Sequence, residues 1–493
     1  MSKFLSLFQR FSVIVILLVG VLFFFFGFVS NLTMIEDVYS MRDLILFMLV
    51  GLVILSIGVA LLRLPLPNLA FVPLMLVAAF VIRLVWVLNV DTSLLSDFAK
   101  LYNASVSASN GDFSFSENAY FTRWVYQIGF VMYQSVVISL FGENVMVLKM
   151  LNVVFGTATV WLVYLIGRSV FNEVTGRIAG SLYAIYLPSI VMTSVLTNQY
   201  LATFLIFAGL YLLVKRFEVS KWSWIGIGVL LALGHIIRPI GPFVLLAVGI
   251  YVLVVYLLKG DHKLKALGKL AGIIGVFFII QISVSQAFMA SGVTDYPLGN
   301  RDPLWKFVLG LNHETDGTYS GSDVEILAPL DEEEREQKQR ELIEERLSDP
   351  GKVLVLMKNK FQIMWGEEHD SSFYWSLTGI EAPNLKTLLY QIDKVMFSLY
   401  FIFGVIASAK LLLSKPSANQ MKSLLFVLLV IGYAMIHLII EVQTRYRFFA
   451  MPALIMLQGY GIYLVTEQLK LMFKRDAGTG TSSLRETKQT MIK

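Results

Sequence analysis

The chain contains no cysteine. That excludes disulfides, thiolate nucleophiles and Cys-ligated metal centres. Histidine is scarce as well: five residues, with neither HExxH nor H-x₃-H spacing, so no metal box is written in the sequence. Charged side chains make up only 15% of the 493 residues, which is little for the surface of a soluble protein of this length. Segments of alternating hydrophobicity are missing, which removes an outer-membrane barrel. No A-x-A-like cleavage site follows the first apolar run, so Lys3 and Arg10 stand before an uncleaved span and not a signal peptide.

What the chain has instead is repeated apolar runs of about 18 or more residues, each enough for a helix to cross the hydrocarbon core. Apolar residues make up 56% of the chain, and the mean hydropathy is +0.70. Backbone polar groups in lipid must be satisfied within the segment, so the fold class is an all-α polytopic membrane protein. The net charge of +5 then reports basic cytoplasmic loops and not a nucleic-acid surface.

With both termini cytoplasmic, the pattern predicts about twelve spans: 11–29, 44–62, 69–90, 146–167, 178–196, 198–214, 222–237, 240–258, 266–288, 388–410, 422–440 and 449–467. The run 124–141 is read as an interfacial helix. Counting it as a span would put the basic clusters "GRSVFNEVTGR", "KRFEVSKW" and "KGDHKLKALGK" outside, against the positive-inside bias. This divides the chain into an N-terminal hairpin 1–63, a core 64–290 carrying an external loop 91–145, an external region 291–386, C-terminal spans 387–469, and a polar tail 470–493 that reads as cytoplasmic and disordered. Within 91–145, Phe98, Leu101, Tyr102 and Val106 share one helical face, which suits a helix lying in the interface. Within 291–386, "DEEEREQKQRELIEERLSDPG" predicts a solvated helix. Asp331 caps it, Glu334–Lys338 and Glu336–Arg340 pair at i,i+4, and Asp349-Pro350-Gly351 stops it.

The predicted external face collects cations where the bias disfavours them: Arg123, Arg238 at the "HIIRPIGP" break, and Arg445 and Arg447 in "EVQTRYRFFAMP". Planar guanidinium groups grip phosphate by paired hydrogen bonds, so this set suits a lipid phosphate. The alternative partner for Arg445 is Glu441, four residues earlier, or a bilayer headgroup. Among the acidic residues at this face, which include Glu36 and Asp37, Asp97 opens the predicted interfacial helix beside Leu94, Leu95 and Phe98. Partial desolvation there would make it a general base, and the alternative reading is a helix N-cap. Tyr446 lies between the two arginines. The loop "LNHETDGTYSGSD" offers His313, Asp316 and Tyr319 either to an acceptor groove or to a surface turn. "GEEHDSSFYW" mixes acids, His369 and aromatics usable for carbohydrate stacking or interfacial anchoring. His437, inside an apolar span, reads as a hydrogen-bonded core residue.

These segments resemble the GT-C membrane glycosyltransferases, in particular the protein O-mannosyltransferase and aminoarabinose transferase group. The resemblance rests on "SDFAKLYNASVSASNGDF", on the stretch from "VVISLFGEN" to "SIVMTSVL", and on "IIRPIGPFVLL", "LNHETDGTYSGSD" and "EVQTRYRFFAMPALIMLQGYGIYL", and it covers roughly 70–467. It implies a polyprenyl-phosphate sugar donor, an external glycan, lipid or protein acceptor, and inversion at the sugar carbon. It also implies a multi-pass cell-membrane location with the active site on the external face. By the same resemblance Asp97 is the catalytic acid–base position, and Arg123 and Arg445 or Arg447 contact the donor phosphate. Tyr102, Glu441 and Tyr446 are expected, with the loop residues, to contact substrate. Two departures speak against a divalent metal, so no cofactor is expected. Phe98 stands where a second acid often follows, and the entrance of the sixth span reads "TNQY", with Asn198 and Gln199. The rival function is a flippase for lipid-linked saccharides, which predicts ionisable groups at mid-membrane and an internal repeat. An inactive scaffold predicts that Asp97→Asn is harmless.

Overall fold

The computed structural model describes residues 2–35, 39–62, 66–258, 262–414, 417–418 and 420–490, without the side chains of 2, 3, 61 and 473–490. Glu36, Asp37 and Arg63 lie outside the described residues. Among those described, every regular element is a helix, as the apolar runs and the need to satisfy backbone groups in lipid require.

Among the described residues seven helices are long and apolar enough to cross a bilayer: Phe4–Thr33, Met41–Ala60, Asn68–Asn89, Val145–Val170, Lys263–Ala290, Pro383–Leu413 and Gln420–Ile439. Of the other five expected spans, 198–214 and 449–467 lie in the unbroken helices Gln199–Arg216 and Met451–Thr490, and the remaining three are broken or short. The stretch 178–196 is divided into Glu173–Ala184 and Leu187–Val191, with Pro188 opening the second piece. Ser223–Ile237 and Gly241–Leu257, separated at Pro239, are short for a span. Val125–Phe141 is short too, in keeping with its interfacial reading.

A broken helix leaves carbonyls without partners, which hydrocarbon does not tolerate. Arg83, fully buried in the Asn68–Asn89 helix, satisfies them: it donates to Ala184 O (2.9 Å), Tyr183 O (3.2 Å) and Ser189 Oγ (3.1 Å) across the break. Asp393 and Lys394 are likewise buried inside Pro383–Leu413. Lys394 donates to Met34 O and Gly366 O at 2.7 and 2.6 Å. Ionisable groups therefore do enter the spans, in structural roles that hydropathy alone does not show.

The first helix is integral to the bundle and not appended to it. Asn31 donates to Gly27 O (2.8 Å) and to Trp365 O (2.6 Å), and Phe23 meets Trp365 edge-on at 4.9 Å. A Cβ at Gly27 would fall 2.1 Å from the Phe401 ring, so only glycine admits this approach.

The charged helix forms over Glu332–Leu347 with Asp331 as cap, and Arg340 pairs with Glu336 as the spacing predicts. Lys338 instead pairs with Glu341 at 3.0 Å. Asp349 starts the next helix, Pro350–Gly366, by accepting from Gly351 N and Lys352 N; proline at the first turn lacks only an N–H that would be orphaned anyway. At the C-terminus the backbone of Met451–Thr490 stays helical into the stretch that composition reads as disordered.

The two ends of the bundle differ. At one end Arg177 donates to Leu66 O and Asn68, and Arg168 pairs with Glu173. At the other, the last residues of Asn68–Asn89, Ser223–Ile237 and Ser423–Ile439 converge with the first turn of Gln199–Arg216 and the short helices of 91–127 and 292–380. The candidate site is at this second end.

Candidate active site

The chain leaving Asn68–Asn89 is fastened before it reaches Asp97. Thr92 Oγ1 bonds Ser194 Oγ (2.6 Å) and Ser376 O (2.5 Å), and Ser93 N donates to Thr378 O. Ser96 takes the left-handed φ of 55° that turns the backbone into the Ser96–Ser109 helix. Leu95 occupies the N-cap position and supplies no side-chain cap. Asp97 therefore sits in the first turn with its carboxylate exposed and not used as the cap. The expected desolvation is absent, since Leu95 beside it is itself 54% exposed. Tyr120 faces Asp97; burial first, and then this neighbouring carboxylate, holds the phenol protonated well above its usual range. Gln127 Nε2 donates to the Tyr120 hydroxyl at 3.2 Å.

The four arginines divide into two kinds. Arg123 is ion-paired with Asp302, with Nε at 2.9 Å, and its guanidinium lies over Trp124 and Trp305. Asp302 also accepts from Gln339 of the charged helix, so this pair ties 119–123 to the external region. Arg447 is 1% exposed and donates twice to Asp370 Oδ2, at 3.0 and 2.6 Å, with Asp393 3.5 Å away. Burial alone would depress its pKa, but the two carboxylates win and raise it. Arg447 is a structural keystone with its charge already matched.

Arg238 and Arg445 are held by neutral amides. Arg238 donates to Asn198 Oδ1 at 2.8 Å, and its buried Nε has no acceptor. Arg445 donates from Nε to Gln443 Oε1 at 2.8 Å and lies over Phe98 (5.5 Å), Trp375 (5.0 Å) and Tyr446 (5.7 Å). Tyr126 lies among these groups. Burial raises its pKa, Lys306 and Arg238 pull it down, and Tyr446 and Asp97 push it up. Asp97, Arg238 and the Arg445–Tyr446 corner therefore share one end of the bundle.

Glu441 does not pair directly with Arg445. The backbone from Glu441 to Gln443 is non-helical, with Gln443 extended at φ −144° and ψ 142°, so i,i+4 geometry does not apply. Glu441 is buried and bonds Lys306 Nζ, Gln443 Nε2 (2.8 Å) and the Tyr446 hydroxyl (3.3 Å). Burial raises its pKa, but Lys306, the Gln443 hydrogen bond and the nearby charge of Arg445 outweigh that and lower it.

The loop candidates serve mainly as a joint. His313 Nε2 bonds Arg346 O (2.8 Å), Asn359 donates to Asp316 Oδ1 (2.9 Å), and Tyr319 is exposed. Tyr102 packs in a separate apolar cluster with Leu94, Leu148 and Leu196. His437 is buried and bonded to Tyr433 O at 2.9 Å, as its apolar setting predicts. Sequence reasoning missed Lys306, Asp302 and Asp370, which lie in the hydrophilic region 291–386 where charge is ordinary. Their one signal was the arginines themselves, each of which needed a partner from elsewhere.

Asp97 has a phenol and amide-held cations around it, and the described residues contain no group of three His, Cys, Asp or Glu placed to hold a metal.

Residues 128–284 match the family described as dolichyl-phosphate-mannose-protein mannosyltransferase, which bears out the resemblance to membrane glycosyltransferases over that segment. It contains Asn198 and Arg238 but neither Asp97 nor Arg445. No curated protein matches the chain. Among solved structures, the archaeal oligosaccharyltransferase AglB from Archaeoglobus fulgidus, in complex with an inhibitory peptide and a dolichol-phosphate, is similar at 14% identity and a TM-score of 0.48. The likeness covers 83% of this chain and 52% of that one, so this chain spans about half the length of that protein.

Proposed function

We propose that the chain is a membrane glycosyltransferase that moves a sugar from a polyprenyl-phosphate donor to a hydroxyl of an external glycan, lipid or protein. One observation carries the reading: an exposed carboxylate not used as a cap shares one end of a membrane bundle with two arginines that form no ion pair with a carboxylate among the described residues. The matched family, whose description names a lipid-phosphate sugar, supports the same donor class.

In the proposed reaction Asp97 takes the acceptor hydroxyl proton as the oxygen attacks the anomeric carbon. The bond from that carbon to the phosphate oxygen breaks on the opposite face, inverting the configuration. The electron pair stays on the polyprenyl phosphate, where Arg445 and Arg238 meet the growing charge. No step uses a metal ion. The site lies at the end opposite the basic "GRSVFNEVTGR" segment, and the positive-inside bias supports an external location for it.

The test is transfer by the purified chain in nanodiscs, with a radiolabelled polyprenyl-phosphate sugar supplied beside cell-envelope acceptors. A product dependent on Asp97 supports the enzyme. Movement of the lipid across the bilayer, with its sugar intact, would make the chain a flippase.

A further inference from the structure

Arg445 has a carboxylate four residues before it and yet is not neutralised by it. The cause is a relay through three side chains. Lys306, from the Trp305–Gly310 helix, binds Glu441 twice: its ammonium pairs with Oε2, and its carbonyl accepts from Glu441 N at 2.9 Å. Gln443 then bridges, donating from Nε2 to Glu441 Oε1 and accepting from Arg445 Nε through Oε1, both at 2.8 Å. Because each end of this amide has a different kind of partner, its orientation is set. A neutral amide transmits geometry without cancelling charge, whereas a direct Arg–carboxylate contact would do both.

We infer that Lys306 guards Arg445: by holding Glu441 it leaves Gln443 as the arginine's hydrogen-bonding anchor, so the guanidinium stays out of direct carboxylate contact and free to grip a carrier-lipid phosphate. The phosphate in this statement rests on the proposed function; the guarding does not. Without the lysine, the buried Glu441 carboxylate keeps only the Gln443 amide and the Tyr446 hydroxyl; Lys360 is held by Gly310 O and Ile440 O, so the arginine is the cation left to match it. Lys306 is thus a positioning residue acting through Glu441 and Gln443.

The test uses the full chain in nanodiscs with two readouts. The first is affinity for a polyprenyl monophosphate. The second is the rate at which phenylglyoxal modifies Arg445, followed by peptide mass, which needs no ligand. Lys306→Met should weaken binding about tenfold and slow the labelling, because Glu441 captures the arginine. Lys306→Met combined with Glu441→Gln should recover both, since no carboxylate remains to capture it, and Lys306→Arg should keep both. Gln443→Glu, which leaves Lys306 in place, should weaken binding and slow the labelling as well. A double variant no better than Lys306→Met on either readout overturns the guard, as does unchanged labelling in both Lys306→Met and Gln443→Glu. If the wild-type chain binds no polyprenyl monophosphate while the labelling follows the expected pattern, the guard stands and the phosphate role fails.

Discussion

The Arg445 guanidinium lies over the ring of Phe98, 5.5 Å from its centroid, so the residue beside Asp97 is a platform for the arginine. Phe98 offers an aromatic surface beside Asp97 and adds no second carboxylate next to the arginine. Two residues separated by most of the chain are thereby brought to one locus, and four predictions follow from how the neighbouring groups are held.

Asp97→Asn should reduce transfer about 100- to 10,000-fold, the range expected for losing a general base. Thermal stability should not change, because the Asp97 carboxylate is exposed and is not the helix cap. Sugar transfer and a melting curve on the same preparation check this. Full transfer activity in the asparagine variant would overturn Asp97 as the base, whereas no transfer by the wild-type chain would favour the scaffold reading.

Arg445→Gln and Arg447→Met should fail differently. The first should weaken binding of the donor lipid with an unchanged melting temperature. The second should destabilise the fold by ~3–5 kcal/mol, because Asp370 and Asp393 would remain buried without their partner. Donor affinity in the folded fraction of Arg447→Met should match the wild type.

Lys360 makes stability depend on pH. Burial pushes its ammonium down to about 7, while it donates to Gly310 O and Ile440 O. Below pH 7 the group is protonated in both the folded and unfolded states. Between about 7 and the ordinary value of 10.5, the unfolded chain holds a proton that the folded chain has released, so stability rises with pH across that window. The stability of the wild type relative to Lys360→Met should therefore rise from pH 7 towards pH 10 in denaturation measurements, and a flat or falling difference would refute this.

Gly27→Val should destabilise the chain by about 1–3 kcal/mol, because its Cβ would enter the buried Phe401 ring. Removing residues 1–62 should abolish folding altogether, since the first helix supplies Phe23 and Asn31 to the packing around Trp365. Expression and melting of both variants test whether the hairpin is structural.

Much of the site was legible one residue at a time. Asp97, Arg238 and Arg445 could be singled out because ionisable groups at the ends of apolar runs are costly enough to need a reason. Arg123 and Arg447 carried the same signal and turned out to be ion-paired with Asp302 and Asp370. A guanidinium looks alike in sequence whether its partner is a phosphate or a carboxylate from another part of the chain.

Sequence alone was enough for an all-helical membrane protein, the helix that opens at Asp97, the cap of the charged helix and the buried place of His437. Each follows from local physics: backbone satisfaction in lipid, helical periodicity, and a side chain reaching its own neighbours. Only the tertiary structure decided which apolar runs break, how Arg83 mends one break, which arginines keep their charge, and that Lys306 stands between Glu441 and Arg445. Those outcomes depend on partners far away in the chain, and charge matching acts through space without regard to sequence separation.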